Sequence, residues 1–207
     1  MKKSNYLIMR DQMKLEFLKY DQQAMIDKFY LDADDEFIYI TMLRRPHRIS
    51  RTTGTVEWSD DGFATVTEAD YNVSMTIFDV LCKSAPDCSY AGVFRSVHSI
   101  GKQLHVASAP GGEFFRQSAQ AFAADPEKLH DACRALGGKK YFAGDIAYML
   151  PLFDFLPIVF QYWLADDEFE ADIKFLWDEN TLDFMHFETT FYASGYILGR
   201  LKEIAGL

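Results

Sequence analysis

The stretch AGDIAYMLPLFDFLPIVFQYWLADDE, residues 143–168, decides the fold. Two runs within it, 143–151 and 156–165, are apolar at nearly every position and flank Asp154. Strands of that composition are buried on both faces, so the pair is expected to form a central hairpin. With the turn centred on Asp154, Asp145 faces Trp163, Ala147 faces Gln161 and Met149 faces Val159, all on one side of the sheet. Ile146, Tyr148, Leu150, Ile158, Phe160 and Tyr162 take the other side. The same fold-back returns Asp166, Asp167 and Glu168 to the Asp145 end. A slip of one residue would move every side chain to the opposite face.

Working outward, a third strand is expected at 172–177 and a closing helix at 187–204. Upstream, Asp125-Pro126-Glu127 opens a helix that stops at Gly137-Gly138, and another helix spans about 113–123. Residues 84–112 are punctuated by Pro86, Gly92, Gly101, Pro110, Gly111 and Gly112 and read as irregular. In the first half, residues 10–30 carry Leu15, Leu18, Met25 and Phe29 on one stripe, as one helix would. Phe37–Leu43, His47–Trp58 and Phe63–Val66 read as a β-meander, with Asp60-Asp61-Gly62 turning between the last two strands. A helix that opens at Thr67, with Asp70 three residues on, and runs to about Lys83 follows.

The fold class is therefore α+β: largely antiparallel β-meanders covered by helices, in one domain spanning residues 1–207. The order admits two similar helix–three-strand–helix halves. Ala-Asp-Asp-Glu-Phe recurs at 33–37 and 165–169, which suits a duplication or a shared acidic lead-in to a strand.

On that scaffold, Asp145, Gln161, Trp163, Asp166, Asp167 and Glu168 form a candidate ligand-binding groove, acidic and aromatic. Clustered carboxylates serve general acid–base chemistry when repulsion raises one pKa, and they also hold hard cations such as Mg²⁺ or Ca²⁺. A solvated acidic turn has the same composition, and the alternating ligand spacing of a calcium loop is absent. A second candidate, for anions, is the basic run Arg44, Arg45, His47, Arg48 and Arg51, which also suits a charge-protected edge strand. Alternation puts His47, Ile49 and Arg51 on one face and Arg48 on the other. Gly111 and Gly112, before a helix, offer a weaker anion site on free backbone N–H groups. Gly195 and Gly199 in the last helix allow another backbone to approach, within the chain or across a dimer.

Composition narrows the function classes. The 207 residues carry a net charge of −10, which disfavours nucleic acid and anionic membranes as partners. Aromatic residues make up 15%, enough for a large aromatic core or an aromatic-lined pocket. No apolar run is long enough for a signal peptide or a membrane span. Three cysteines are an odd count for a disulfide framework, and the cytoplasm is the expected setting. Cys82 and Cys133 fall on apolar helix faces, Cys88 in a loop. No serine-hydrolase, P-loop, dinucleotide or zinc signature occurs, and no cofactor is called for. The expected role is binding of a small molecule or protein partner. A metal-assisted or acid–base enzyme and a homo-oligomeric structural protein are the alternatives.

From about Tyr90 to Leu201 the chain resembles a family of anaerobic bacteria and archaea known only as a domain of unknown function. The carrying residues are Pro110-Gly111-Gly112, Leu136-Gly137-Gly138, Gly144-Asp145, Leu156-Pro157, Asp166-Asp167-Glu168-Phe169, Phe175-Leu176-Trp177-Asp178 and Glu188. Some relatives are joined to iron–sulfur modules, which implies anaerobic redox or corrinoid metabolism for those proteins. This chain departs from them, since three scattered cysteines cannot ligate a four-thiolate cluster. The resemblance carries no catalytic assignment.

Overall fold

The computed structural model describes residues 4–100 and 112–207, with side chains from residue 115 onward in the second segment. The predicted hairpin, β7 (Ile146–Phe153) and β8 (Leu156–Trp163), stands in the interior of a nine-stranded antiparallel sheet. Ile146 pairs with Tyr162, Ala147 with Gln161, Met149 with Val159 and Leu150 with Ile158, the register expected from a turn at Asp154. Between Leu150 and Phe153 the register shifts, and Phe153 closes the hairpin opposite Leu156. Pro151 lies in that interval, where its missing N–H cannot serve a regular ladder. β9 (Asp172–Asp178) continues the meander and pairs with the short edge strand β5 (Phe94–Ser96).

The first half supplies a mirrored meander. β1 (Phe37–Met42) and β2 (Arg45–Ser50) are joined through Leu43 and Arg44, both at positive φ. β3 (Val56–Trp58) and β4 (Thr67–Glu68) follow, and β1 meets β7 at Met42–Phe153. The sheet order β4-β3-β2-β1-β7-β8-β9-β5, with β6 (Lys139–Lys140) also paired to β7, sets the two meanders side by side through their first strands. Both are flanked in sequence by helices: α1 (Asn5–Phe17), α2 (Gln22–Phe29) and α3 (Tyr71–Lys83) around the first, and α5 (Gly112–Ala123), α6 (Pro126–Ala135), α7 (Thr181–Phe184) and α8 (Phe187–Ala205) around the second. The four-residue α4 (Val97–Ile100) follows β5.

The inner sheet face carries Ile146, Tyr148, Leu150, Ile158, Phe160 and Tyr162, all almost fully buried. α6 packs on β7, α5 on β9, and α8 lies across both α3 and α6. Tyr162 donates its hydroxyl to the Ala119 carbonyl (3.2 Å), and the Phe122 ring meets Phe160 and Tyr162 edge-on. The buried Tyr162 hydroxyl is thus satisfied without breaking the aromatic packing.

Several expected elements differ. The helix at 10–30 is two, because Asp21 accepts from Ala24 N–H (3.1 Å) and restarts the chain as α2. His47–Trp58 is two strands, turned at 51–54. Phe63–Val66 is not a strand: Phe63 takes a positive φ, and Asp61 accepts from both the N–H and the hydroxyl of Thr65. These local bonds hold residues 59–65 as a loop, and the returning strand is β4. The stretch read as irregular contains β5 and α4. No helix of the described residues is long and apolar enough to cross a membrane.

The β2–β3 turn seats α1. Gly54 has a φ of +70°, and a Cβ there would lie 2.5 Å from the Lys14 carbonyl oxygen. Gly54→Ala is expected to cost about 2 kcal/mol, through strain and displacement of α1. Urea unfolding with an unchanged midpoint would show that α1 is not held there.

Candidate functional site

Gly144 is at φ +108°, and a Cβ there would press on the Tyr162 carbonyl oxygen at 3.3 Å. That conformation delivers Asp145 to the end of β8, where its Oδ2 accepts from the Leu164 N–H at 2.8 Å. Gln161 is buried and donates to the carbonyl of Ala143 at 2.8 Å, fixing the same loop from beneath. The Gly-Asp step and the return of the acidic stretch therefore lock one another.

The result is an open groove of about 740 Å³ whose lining includes Asp145, Trp163, Asp166, Phe169, Glu170 and Asp172, with Arg116 and Lys174 among the acids. Lys174 Nζ lies 4.5 Å from the centre of the Trp163 ring and 3.6 Å from Asp172 Oδ2. Arg116 approaches Glu170 at 4.0 Å. Asp166 accepts from the N–H groups of Glu168 and Phe169, which hold its carboxyl below the usual range. Phe169 is 70% exposed at the mouth.

Of the residues expected here, the structure brings Asp145, Trp163 and Asp166 to the groove wall. Gln161 lies behind it, and Asp167 and Glu168 are exposed but outside the lining. Glu170, Asp172, Lys174, Arg116 and Phe169 complete the groove. Asp172 was legible as the partner of Trp163 once β9 was placed. Arg116 comes from a distant helix and carried no local signal.

The basic run diverges. Arg45 turns inward, 5% exposed, and forks onto Asp60 (2.7 and 2.9 Å) while also reaching Glu203 (2.7 Å). Arg48 points outward over the Phe37 ring at 4.1 Å and pairs with Glu57 at 2.9 Å. Arg51 donates to Gln22 and to the Asp34 carbonyl. His47 shares the inward face with Arg45 and Ile49, and Arg44 is exposed in the β1–β2 turn. Gly111 lies outside the described residues; Gly112 is the first residue of α5.

Other reactive groups are restrained. Burial pushes the thiols of Cys82 and Cys133 up to about 12 and raises that of Cys88 as well. Asp79 on α3 accepts from the N–H of His186 (2.7 Å), from its Nδ1 (2.6 Å) and from the Thr189 hydroxyl (2.6 Å), tying α3 to the start of α8. Among the described residues, no three His, Cys, Asp or Glu side chains converge in a group able to hold a metal ion.

Residues 21–200 match the family described as Domain of unknown function (DUF3786). No curated protein and no solved structure matches the chain.

Proposed function

We propose a binding role for a chain that belongs to the DUF3786 family of unknown function: the groove beside Trp163 takes a cationic group presented by a small molecule or a partner protein. The observation that carries this reading is Lys174, whose ammonium already lies over the Trp163 face at 4.5 Å. An ammonium over an indole face gains about 0.5–2 kcal/mol, more as water is excluded. Asp145, Asp166, Glu170 and Asp172 surround that face. Lys174 is exposed, and its ammonium leaves the ring to an incoming cation by exchanging its contacts for water. A net charge of −10 would steer such a ligand towards the protein. We read the protein as a single cytoplasmic domain, an accessory rather than an enzyme.

Calorimetry with spermidine and with a lysine-rich peptide tests this and separates the two sources of the cation. Trp163→Ala is expected to weaken binding about tenfold. Lys174→Ala, which vacates the ring, is expected to strengthen it. Equal affinities in wild type and both variants would refute the role of the groove.

A further inference from the structure

A second cavity, of about 420 Å³, lies at the far end of the sheet between β3, β4 and the middle of α8. Its floor is bare helix: a Cβ at Gly199 would meet nothing within 4 Å, and one at Gly195 only the Asn72 amide, at 3.4 Å. The expected close approach of another backbone occurs at neither glycine among the described residues. Arg45 and Arg200 line this cavity, and both are more than nine-tenths buried. Arg45 is stacked on the Trp58 ring at 3.9 Å. Glu203, half exposed at the rim, is held by Arg45 at 2.7 Å and by Arg200 at 2.8 Å. Arg200 Nε, buried behind the lining, has no hydrogen-bond partner among the described residues, and the buried Tyr196 hydroxyl lies beside the Arg45 guanidinium. Buried donors of this kind are costly to leave unmet. The opposite wall carries Glu68, which is paired with Lys14 (2.6 Å) and Arg10 (2.9 Å), and Asp70, which accepts from the Val73 N–H (2.9 Å) as the cap of α3.

We propose that this cavity binds a small zwitterion of the amino-acid class, with its carboxylate taken by Arg45 and Arg200 and its ammonium facing Glu68 and Asp70. Paired guanidinium groups are suited to a carboxylate, with charge-assisted bonds about twice as strong as neutral ones. The carboxyl group of Glu203 occupies that position and swings out into solvent when the ligand arrives. Trp58 and the glycine floor leave a flat slot for the side chain.

The test is calorimetric titration of the full chain with the proteinogenic L-amino acids one at a time, and with acetate and methylamine as single-charge probes. At least one amino acid is expected to bind saturably, and both single-charge probes at least about tenfold more weakly. Glu203→Ala, which frees both arginines, is expected to tighten binding severalfold. Gly199→Leu fills the slot and is expected to abolish binding while thermal unfolding is unchanged or shifted upward, since leucine is the better helix former. Tyr196→Phe, which removes only the hydroxyl, provides a second variant with an intact core and is expected to weaken binding. The proposal is overturned if no amino acid gives saturable heat up to about 10 mM, or if acetate binds as tightly as the best amino acid. It is equally overturned if both Gly199→Leu and Tyr196→Phe bind like wild type.

Discussion

Replacing Asp178 with alanine is expected to lower the stability of the fold by about 3 kcal/mol. Asp178 is fully buried at the end of β9. Its carboxylate accepts from the N–H groups of Ala91 (3.1 Å), Gly92 (2.7 Å) and Asn180 (3.1 Å). Neighbouring bonds reinforce the same seam, from Glu179 N–H to the Val93 carbonyl (2.8 Å) and from the Asn180 amide to the Ser89 carbonyl (2.9 Å). Without the carboxylate, three backbone donors lose their acceptor and the lead-in to edge strand β5 comes away. Urea unfolding measures the loss, and hydrogen exchange should place it at residues 91–96. A loss below about 1 kcal/mol would mean that this segment docks without the carboxylate.

The second large effect is a pH dependence. His47 is fully buried on the inward face of β2, and burial is the main cause that lowers its pKa to about 4 from an ordinary 6.5. The charges of Arg45 and Arg200 push the same way, while the Arg45 carbonyl, 2.9 Å from Nδ1, opposes them. That carbonyl can only accept, so Nδ1 carries the proton and Nε2 is left without a partner among the described residues. Above the ordinary pKa both folded and unfolded chains hold a neutral imidazole, and the full stability is present. As pH falls from about 6.5 to about 4, the unfolded chain takes up a proton that the folded chain refuses, so stability is lost across that window. At 1.36 kcal/mol per unit the loss amounts to about 3 kcal/mol. Stability curves of wild type and His47→Phe should therefore converge or cross between pH 7 and pH 4. Parallel curves would show that His47 takes up its proton in the folded state.

The hairpin was legible because its cue is local. Two apolar runs around Asp154 leave few alternatives for register, and the pairs from Ile146–Tyr162 to Leu150–Ile158 follow. Asp145 and Trp163 came with them. The loop at 59–65 was not legible as a loop, because Phe63 and Val66 have strand composition while the Ser59, Asp61 and Thr65 side chains supply competing hydrogen bonds. Buried charge was less legible still. Arg45 in a basic run reads as solvated until Glu203, distant in sequence, supplies a carboxylate, and its alternation with His47 sets both inward. Asp178 belonged to the Phe-Leu-Trp-Asp motif without a role, since the loop that it holds has no apolar pattern of its own. Exposed acids at 166–168 looked more informative than buried ones, yet Asp79 and Asp178 carry the denser hydrogen bonding.

A cation landing on the face of Trp163 is directly measurable through the three tryptophans. Trp163 is partly exposed in the groove, Trp177 is buried at 2%, and Trp58 lies against Arg45 at the other cavity. Spermidine titrated into labelled protein, followed through the indole N–H resonances by NMR, should shift the Trp163 signal saturably. The Trp177 and Trp58 signals should stay in place, and added salt should weaken the effect. A Trp163 resonance that stays fixed at saturating spermidine and low salt would contradict the account.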